Sequence, residues 1–269
     1  MSISLKQSFP FRLATTSFIH AAGYTENVRR LAPLVDEIEL LCLERDHLPS
    51  TDEINALQSL ADPLDISYNV HLPMDIALAD PSPQIRSRSR DAVLEALATV
   101  APLNAATHTL HITFQESDTN PDTVKAWQTR AQESLFRLLD RAQIGAERLS
   151  VETLDFPPRW LLPFVAEFDL PVCLDVGHVI RYGYDLKETL ELFSRRIVIY
   201  HLHGVTGIHD HRALSHLSHE YRSILVPHLK HFRGTVSLEV FSKQDLMDSL
   251  ASFAQMMSQV WVPSNKPGS

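Results

Sequence analysis

The chain has 269 residues, of which 44% are hydrophobic and 21% are charged, the balance of an ordinary soluble globular protein. Its formal net charge of −9 argues against a dedicated nucleic-acid-binding protein, because such proteins carry a basic face for the phosphates. Cys42 and Cys173 both lie in apolar runs, so we expect reduced core thiols in a cytoplasmic protein. The N-terminus lacks a signal-peptide pattern, and no apolar run approaches the ~18 residues of a membrane span.

Short apolar runs alternate with amphipathic stretches, which predicts strands alternating with helices along the whole chain. In chain order, the predicted strands are 12–18, 37–44, 65–72, 107–114, 149–154, 171–178, 197–204 and 235–241. The predicted helices, marked by apolar spacings of three and four, are 51–61, 83–101, 122–142, 158–168, 185–194, 215–231 and 243–260. Eight strands in a chain of this length predict an α/β fold, the (β/α)8 TIM barrel, which typically needs ~250 residues. We expect one barrel domain over residues 1–262 and a disordered tail over 263–269.

Polar side chains gather late in the predicted strands or directly after them. In the stretch PVCLDVGH, Asp175 interrupts a buried apolar run and His178 ends it. A carboxylate in such a run is costly unless a partner or a metal compensates it. Similar positions occur near the ends of predicted strands three to eight and in the loop after strand seven. They hold His71, His111, Glu152, His201, His203, His209, Asp210, His211 and Glu239. Because a parallel barrel forms its active site where the strands end, we expect these side chains to meet at one mouth.

The gathered acids and imidazoles predict a metal site. A single strand-end His or Glu is more often a structural residue than a ligand, but this group would converge with almost no cation to balance its carboxylates. Divalent ions would neutralise it, and mixed imidazole and carboxylate ligation suits Zn²⁺ or Mn²⁺, with Fe²⁺ also compatible. The predicted ligands are His71, His111, Glu152, Asp175, His178, His201, His209, His211 and Glu239. Of these, Glu152, Glu239 and His178 are also the predicted catalytic residues.

The motif YHLHG offers two histidines, His201 and His203, which have the same strand parity and could both point into the barrel. We expect His201 to be the ligand and His203 to donate to substrate or to another polar group. Asp210 either turns away from the metal or supports a ligand. His108, of opposite parity to His111, either points outward or supports a ligand from behind. The sequence holds no GxSxG, GxGxxG or GxxxxGK[ST] pattern, so neither a serine nucleophile nor a nucleotide-binding loop has support.

These motifs resemble those of the endonuclease IV and xylose isomerase-like group of metal-dependent barrels, over nearly the whole chain. VETL, CLDVGH, YHLHG and SLEVF are similar to that group's motifs on strands five, six, seven and eight. The resemblance implies that these motifs hold one to three metal ions. Asp175 and His178 would then be ligands of neighbouring ions, which accounts for their spacing.

Two branches of that group make different use of the site. Resemblance to the sugar isomerases and epimerases implies a single ion, held by Glu152, Asp175, His201 and Glu239. That ion would serve proton transfer beside a carbonyl group. Resemblance to the endonuclease IV branch implies phosphodiester hydrolysis and additional histidines, which are matched here by His71, His111, His209 and His211. Clustered cations activate water and stabilise a charged transition state, so the additions favour a phosphodiesterase with two or three divalent ions. A sugar (phosphate) isomerase or epimerase, an endonuclease IV-like abasic-site phosphodiesterase and a non-catalytic binding module remain alternatives.

A narrower resemblance is to the cobamide-remodelling phosphodiesterase (CbiR) family, carried jointly by FPFRLATTSFI, NVRRLAPLVDEIEL, YNVHLPMDI, CLDVGHVIRYGYDL, YHLHGV, DHRAL and LEVFS. It implies that the partner is a small-molecule cobamide, whose nucleotide loop is cleaved to a cobinamide phosphate and an α-riboside. The expected substrate contacts are His20, Tyr24, Tyr182, Tyr184 and His203. Thr153 departs from the pattern, since relatives with this motif often have Asn after the Glu, and His209 has no secure match. We expect no stable nucleic-acid binding, no membrane contact, and a monomer or homodimer.

Overall fold

Eight parallel strands close into a barrel in the computed structural model, which describes residues 3–258. In chain order, the strands are β1 (Arg12–Thr16), β2 (Glu37–Leu41), β3 (Ser67–His71), β4 (His108–Leu110), β5 (Leu149–Glu152), β6 (Val172–Asp175), β7 (Ile197–Leu202), β8 (Gly204–Thr206), β9 (His209–Arg212) and β10 (Thr235–Leu238). The barrel order is β1-β10-β7-β6-β5-β4-β3-β2, and β8 pairs with β9 in a separate hairpin. The structure confirms the (β/α)8 barrel, while the predicted tail over 263–269 lies outside the described residues.

Helices between the strands surround the barrel. They are α1 (Tyr24–Leu31), α2 (Thr51–Leu64), α3 (Pro83–Val100), α4 (Pro121–Arg141), α5 (Leu162–Glu167), α6 (Val176–Arg181), α7 (Leu186–Phe193), α8 (His219–His231) and α9 (Lys243–Ser258). Ser50 caps α2 in a capping box with Glu53, and Asn120 caps α4 through two backbone N–H groups. The apolar faces pack inward, so that Trp127 of α4 and Phe253 of α9 are buried. Among residues 3–258, none of the helices combines the length and the apolar character that a membrane span requires.

The sixth strand ends three residues earlier than predicted. Strand β6 stops at Asp175, whose Oδ1 accepts the backbone N–H of His178 at 2.7 Å and so caps α6. A side-chain cap satisfies one of the free N–H groups of a helix start, which favours a helix over a longer strand here. The helical turn places His178 Nδ1 3.3 Å from Asp175 Oδ2, instead of farther along a strand.

Strands β2, β4 and β10 also end three or four residues earlier than predicted, and two further elements differ in kind. Helix α1 had no predicted counterpart, because it spans eight residues and buries few apolar side chains, such as Val28 and Leu31. The expected loop over 209–211 is instead part of β9, which pairs with β8 across a turn at Gly207. Gly207 has φ 63°, the left-handed conformation that tight hairpin turns require. The hairpin carries His211 back to the mouth of the barrel, as its contacts below show.

The barrel interior beneath the mouth is polar. Glu37 of β2 is fully buried and accepts hydrogen bonds from Ser67, Asn69 and Thr235, at 2.7, 2.9 and 2.7 Å. Two residues further along β2, on the same face of the strand, Glu39 is equally buried. Interior carboxylates therefore lie at two levels, and the upper level adjoins the candidate site.

Candidate metal centre

Four overlapping groups of side chains that could each hold a metal ion lie in the described part of the barrel. One of them, Glu152, Cys173 and His201, shares two members with the second group below, so three distinct groups are described in turn. The first group consists of His71 at the end of β3, His111 just after β4, and Glu152 at the end of β5. Glu152 Oε2 lies 2.8 Å from His111 Nε2 and 3.3 Å from His71 Nε2. His71 Nδ1 lies 2.9 Å from the carbonyl oxygen of residue 72. With Nδ1–H donating to that carbonyl, Nε2 of His71 is left for a metal.

The second group shares Glu152 and adds Asp175, His201 and Glu239. His201 Nδ1 lies 3.2 Å from Glu239 Oε2 and 3.5 Å from Glu152 Oε1. All four side chains are buried. They come from β5, β6, β7 and the residue after β10, and the common end of the parallel strands brings them together.

The third group consists of His178, His203 and His211. The rings of His203 and His211 are stacked with centroids 4.2 Å apart, and the ring of His178 lies 5.7 Å from each. The contact between His178 Nδ1 and Asp175 Oδ2 links this group to the second. His211 has a left-handed backbone, φ 51°, which is uncommon outside glycine, and its Nδ1 lies 3.2 Å from the carbonyl oxygen of Glu239.

His203 uses both of its ring nitrogens within the protein. Its Nδ1 accepts the backbone N–H of His211 at 2.9 Å, so the ring proton is on Nε2. Nε2 lies 3.1 Å from Asp175 Oδ1 and donates to that carboxylate. The ring is also fully buried. Of the two expected roles of His203, these observations favour donation to another polar group, Asp175, which it orients, over contact with a substrate.

Thr153 supports two of the same side chains. Its Oγ1 accepts the backbone N–H of Asp175 at 2.9 Å, and its carbonyl oxygen lies 3.2 Å from His178 Nδ1. With Nδ1–H donating to that carbonyl, Nε2 of His178 is free. The departure from the Asn of related motifs therefore leaves these two predicted ligands held, by a hydroxyl group and a main-chain carbonyl.

His209 is the predicted ligand that the structure does not bring to the centre. Its side chain is exposed on β9 and is in none of the groups that residues 3–258 form. Residues two apart share a face of a regular strand, but the left-handed backbone of His211 breaks that alternation. Asp210 pairs with Arg181, and its Oδ2 lies 3.9 Å from His178 Nε2. Asp210 thus lies at the edge of the third group, where it can support His178.

One of the expected substrate contacts, Tyr182, lies directly beside the centre. Its ring is 38% exposed and lies 6.2 Å from the ring of His178. The hydroxyl groups of Tyr24 and Tyr184 donate to main-chain carbonyls at 2.8 and 3.1 Å, so they are already engaged. His20 is half-buried in the loop before α1. Among these expected contacts, Tyr182 is therefore an exposed residue directly beside the candidate centre.

Sequence reasoning missed three residues at the centre: Glu39, Arg181 and Phe241. Glu39 Oε1 lies 2.9 Å from His201 Nε2, and the alternation Glu-Ile-Glu-Leu in β2 was a signal that acids face the interior. The ring of Phe241 is exposed and lies 4.9 Å from that of His211. No sequence pattern distinguishes Phe241 or Arg181 from ordinary packing and surface residues.

Buried polar atoms without partners lie at the second group. Within residues 3–258, Glu39 Oε1, Glu239 Oε2 and both ring nitrogens of His201 are buried without an aligned hydrogen-bond partner. Such atoms are rare in native proteins, and a bound ion would satisfy two of them, Glu239 Oε2 and His201 Nδ1. Carboxylate oxygens and imidazole nitrogens are donors that suit Zn²⁺, Mn²⁺ and Fe²⁺. The side chains present therefore fit divalent metal ions.

The acids and imidazoles shift one another's pKa values. Burial favours the neutral acid, but the positive charges of His111 and His201 hold the pKa of Glu152 well below its usual range. Burial also favours the neutral imidazole, but the hydrogen bond and charge of Glu152 raise the pKa of His71. Burial lowers the pKa of His111, whereas the pKa of His71 is raised. In the metal-free centre a proton on His71 therefore lies beside the ionised Glu152, and a metal ion must displace it in order to bind.

Residues 30–257 match the family described as xylose isomerase-like TIM barrel. A comparison with curated proteins gave no match. Among solved structures, a D-tagatose 3-epimerase-like protein is similar, with 18% identity and a TM-score of 0.79 over 93% of this chain and 98% of that chain. Endonuclease IV from Thermus thermophilus has 17% identity and a TM-score of 0.72, over 93% of this chain and 100% of that chain. The TTHB071 protein of the same organism, soaked with ZnCl2, has 22% identity and a TM-score of 0.71, over 94% and 100%. At these identities the likeness concerns the fold.

Proposed function

Because the chain belongs to the xylose isomerase-like TIM barrel family, we propose that it is an enzyme that uses two or three divalent metal ions to hydrolyse a phosphodiester. The observation that carries this proposal is that the mouth holds three linked groups of metal-ligand side chains. Glu152 is common to the first and second groups, and Asp175 contacts the third. Proton transfer with one metal has no use for the first and third groups, whereas phosphate hydrolysis benefits from several clustered positive charges.

The residues of the chain would arrange the ions around the substrate. When bound, the ions would activate water and neutralise the charge on the phosphate. The first and second groups would each hold one ion, and His178 with His211 would contribute to a third site. Glu152 presents Oε2 to the first group and Oε1 to the second, so it would fix how the first two ions lie relative to each other. The buried carboxylate of Glu239 would complete the second site from the end of β10.

For the substrate we propose a cobamide, cleaved in its nucleotide loop to a cobinamide phosphate and an α-riboside. The combined sequence motifs support this choice, and so does an apolar rim around the mouth. The apolar rim consists of five exposed side chains that follow barrel strands, follow α6 or stand at the hairpin turn: Phe18, Met74, Phe241, Tyr182 and Ile208. A large, partly apolar substrate suits this rim, because the hydroxyl groups of a sugar would lack hydrogen-bond partners against it.

A sugar epimerase is the second candidate. The second group by itself, Glu152, Asp175, His201 and Glu239, could hold the single ion that such chemistry needs. The two candidates make different use of the first group, because the epimerase reaction does not need His71 and His111. Variants of those two histidines therefore discriminate between them.

Chromatographic analysis of products from metal-loaded protein and a cobamide tests the proposal. We expect a cobinamide phosphate and a riboside, and loss of most activity in His71→Ala and His111→Ala, since each removes a ligand of the first group. His219→Ala, which changes an exposed histidine of α8, is the matched control and should keep full activity.

Three other results would each replace this proposal. Turnover of a keto sugar that survives in both histidine variants, with no cleavage of any cobamide, would identify the epimerase candidate. Cleavage of an abasic-site duplex in place of a cobamide would identify an endonuclease IV-like enzyme. Binding of a cobamide without turnover, after metal loading, would identify a binding module.

A further inference from the structure

Glu39 lies at the candidate metal centre although it is in none of the four groups that the described residues form. It projects from β2 into the barrel and is fully buried. Its Oε1 lies 2.9 Å from His201 Nε2, and the Ser237 hydroxyl donates to its Oε2. A buried carboxylate is costly unless it has such partners, so its place depends on His201 and Ser237.

The contact with Glu39 distinguishes the two ring nitrogens of His201. Nδ1 lies 3.2 Å from Glu239 Oε2 and 3.5 Å from Glu152 Oε1. Nε2 lies beside Glu39 instead. Because the two nitrogens of an imidazole point in different directions, an ion held by Glu152 and Glu239 would be reached by Nδ1. Glu39 would then lie behind the ring, out of the ion's own coordination shell.

We propose that Glu39 is a positioning residue of the metal centre, which keeps the ring proton of His201 on Nε2 and so presents Nδ1 to the metal. Histidines that bind metals usually donate their other N–H to a carboxylate or carbonyl, which fixes the orientation of the ring and strengthens it as a ligand. Glu39 Oε1 and His201 Nε2 lie at a hydrogen-bonding distance, but their orientation in the structure is not that of an aligned hydrogen bond. The inference rests on the proposed metal centre and is independent of the reaction that the centre performs.

Strand β2 supplies a matched control in Glu37. This residue is two positions earlier on the same face and is equally buried. Its oxygens accept hydrogen bonds from Ser67, Asn69 and Thr235, none of which is an imidazole. Its replacement removes a buried acid and its hydrogen bonds without touching His201. An effect shared by variants at both positions is structural, and an effect confined to Glu39 reports on His201.

The experiment measures binding of Zn²⁺ and Co²⁺ to the full, metal-stripped chain, with the visible absorption spectrum of bound Co²⁺ as a readout of ligand geometry. Glu39→Leu removes the acceptor, and we expect about 10- to 100-fold weaker binding and a changed Co²⁺ spectrum. Glu39→Gln keeps an oxygen that can accept from Nε2–H, so it should recover part of the loss. Glu37→Leu and Glu37→Gln should keep wild-type affinity and spectrum. If Glu39→Leu does not fold, Ser237→Ala replaces it in the experiment. This variant frees Glu39 but keeps its carboxylate, and it should shift the Co²⁺ spectrum in the same direction.

Two results would overturn the positioning role: wild-type affinity and spectrum in Glu39→Leu, or an equal loss in the Glu37 variants. A wild-type chain that binds neither ion would overturn the metal centre, and with it both this inference and the proposed function. Loss of binding in Glu39→Leu but not in Glu37→Leu would support the role even in a protein that cleaves no cobamide. The two proposals can therefore fail separately.

Discussion

The two carboxylate oxygens of Glu152 face different parts of the metal centre. Oε2 lies 2.8 Å from His111 Nε2, while Oε1 lies 3.5 Å from both His178 Nδ1 and His201 Nδ1. The side chain is also buried, so water has little access to take its place. A change at Glu152 should therefore affect two ion sites, whereas a change at His71 should affect one.

Glu152→Gln should consequently lose the ability to hold two of the ions, and His71→Ala should lose one, as measured by elemental analysis after metal loading. Loss of a hydrogen bond that supports a ligand can weaken metal binding by about 100-fold. We expect the affinity of Glu152→Gln for metal ions to fall by more than this, because the change alters a ligand itself. Activity should be abolished in Glu152→Gln. A full complement of ions in that variant would contradict the shared position of Glu152.

His108 makes a separate prediction about acid stability. Burial lowers the pKa of His108 to about 4, because the charged imidazole is poorly solvated beside the carbonyl of Arg148. In the unfolded chain the pKa is ~6.5, so that state binds more protons as the pH falls. The stabilising contribution is thus complete above pH ~6.5 and is lost as the pH falls towards ~4, by on the order of 3 kcal/mol in total.

His108→Gln keeps a hydrogen-bond donor but does not titrate in this range. Its free energy of unfolding, measured by urea denaturation of the metal-free chain, should therefore fall less between pH ~7 and ~4.5 than that of the wild type. His219→Gln, at an exposed site, should follow the wild type. Identical pH dependence in His108→Gln and the wild type would show that His108 does not contribute.

Strand parity explains which residue predictions match the geometry. His71, His111, Glu152, Asp175, His201 and Glu239 meet at the mouth because they lie where parallel strands end. His108 lies outside the groups that the described residues form, in agreement with its opposite parity to His111. The prediction of His209 as a ligand relied on the same regularity, and the left-handed backbone at His211 removes it. Glu39 was missed because its significance depends on a contact between distant strands, β2 and β7.

At the scale of elements, helix α6 packs closely against the segment that follows β7. Gly177 of α6 lies against the ring of His203, and a Cβ at position 177 would overlap that ring. The same ring donates to Asp175, a member of the second group. Packing between α6 and His203 is therefore coupled to the orientation of Asp175, a predicted metal ligand.

Gly177→Ala should displace His203 and with it Asp175. We expect the free energy of unfolding to fall by roughly 1–3 kcal/mol, typical of an overpacked core, together with weaker metal binding. Gly23→Ala is the matched control, because a Cβ there meets nothing within 4 Å and its backbone has φ −67°. Chemical denaturation and elemental analysis check both variants. Normal stability and metal content in Gly177→Ala would contradict the coupling.

The elements themselves could be predicted to different degrees, for physical reasons. Each of the eight barrel strands lies within a short stretch of the sequence rich in apolar residues, as buried parallel strands do, so these stretches identify them. Helix α6 could not be found in this way, because it begins where the side chain of Asp175 accepts the N–H of His178. The β8–β9 hairpin likewise depends on one turn at Gly207, inside a segment too short to show a period.

At the scale of the whole molecule, the mouth combines an acidic centre with exposed apolar side chains. Phe241 and Tyr182 lie beside His211 and His178, with ring centroids 4.9 and 6.2 Å apart. Arg181 lies over the Tyr182 ring at 5.1 Å, which places a positive charge near the third group. A substrate with both an apolar face and a phosphate would use all of these features.

Phe241→Ala and Tyr182→Ala should therefore raise KM for a cobamide by about tenfold or more, the value of burying part of one aromatic ring, with little change in kcat. Phe136→Ala is the matched control, since Phe136 is 66% exposed on α4, away from the mouth. Steady-state kinetics on the three variants provides the measurement. An unchanged KM in the first two, or the same rise in Phe136→Ala, would rule out the apolar rim as a substrate contact.

The pairing of β1 with β10 joins the first and last strands of the barrel. During synthesis, His71, His111 and Glu152 are added to the chain before β10 and Glu239. Pairings between distant strands also form slowly, because a long loop must close first. Because β10 pairs with both β1 and β7, the barrel closes and the second group is complete only once β10 is in place. An ion that reaches the chain during its synthesis can meet the first group, but the finished centre exists only after the last strand has arrived.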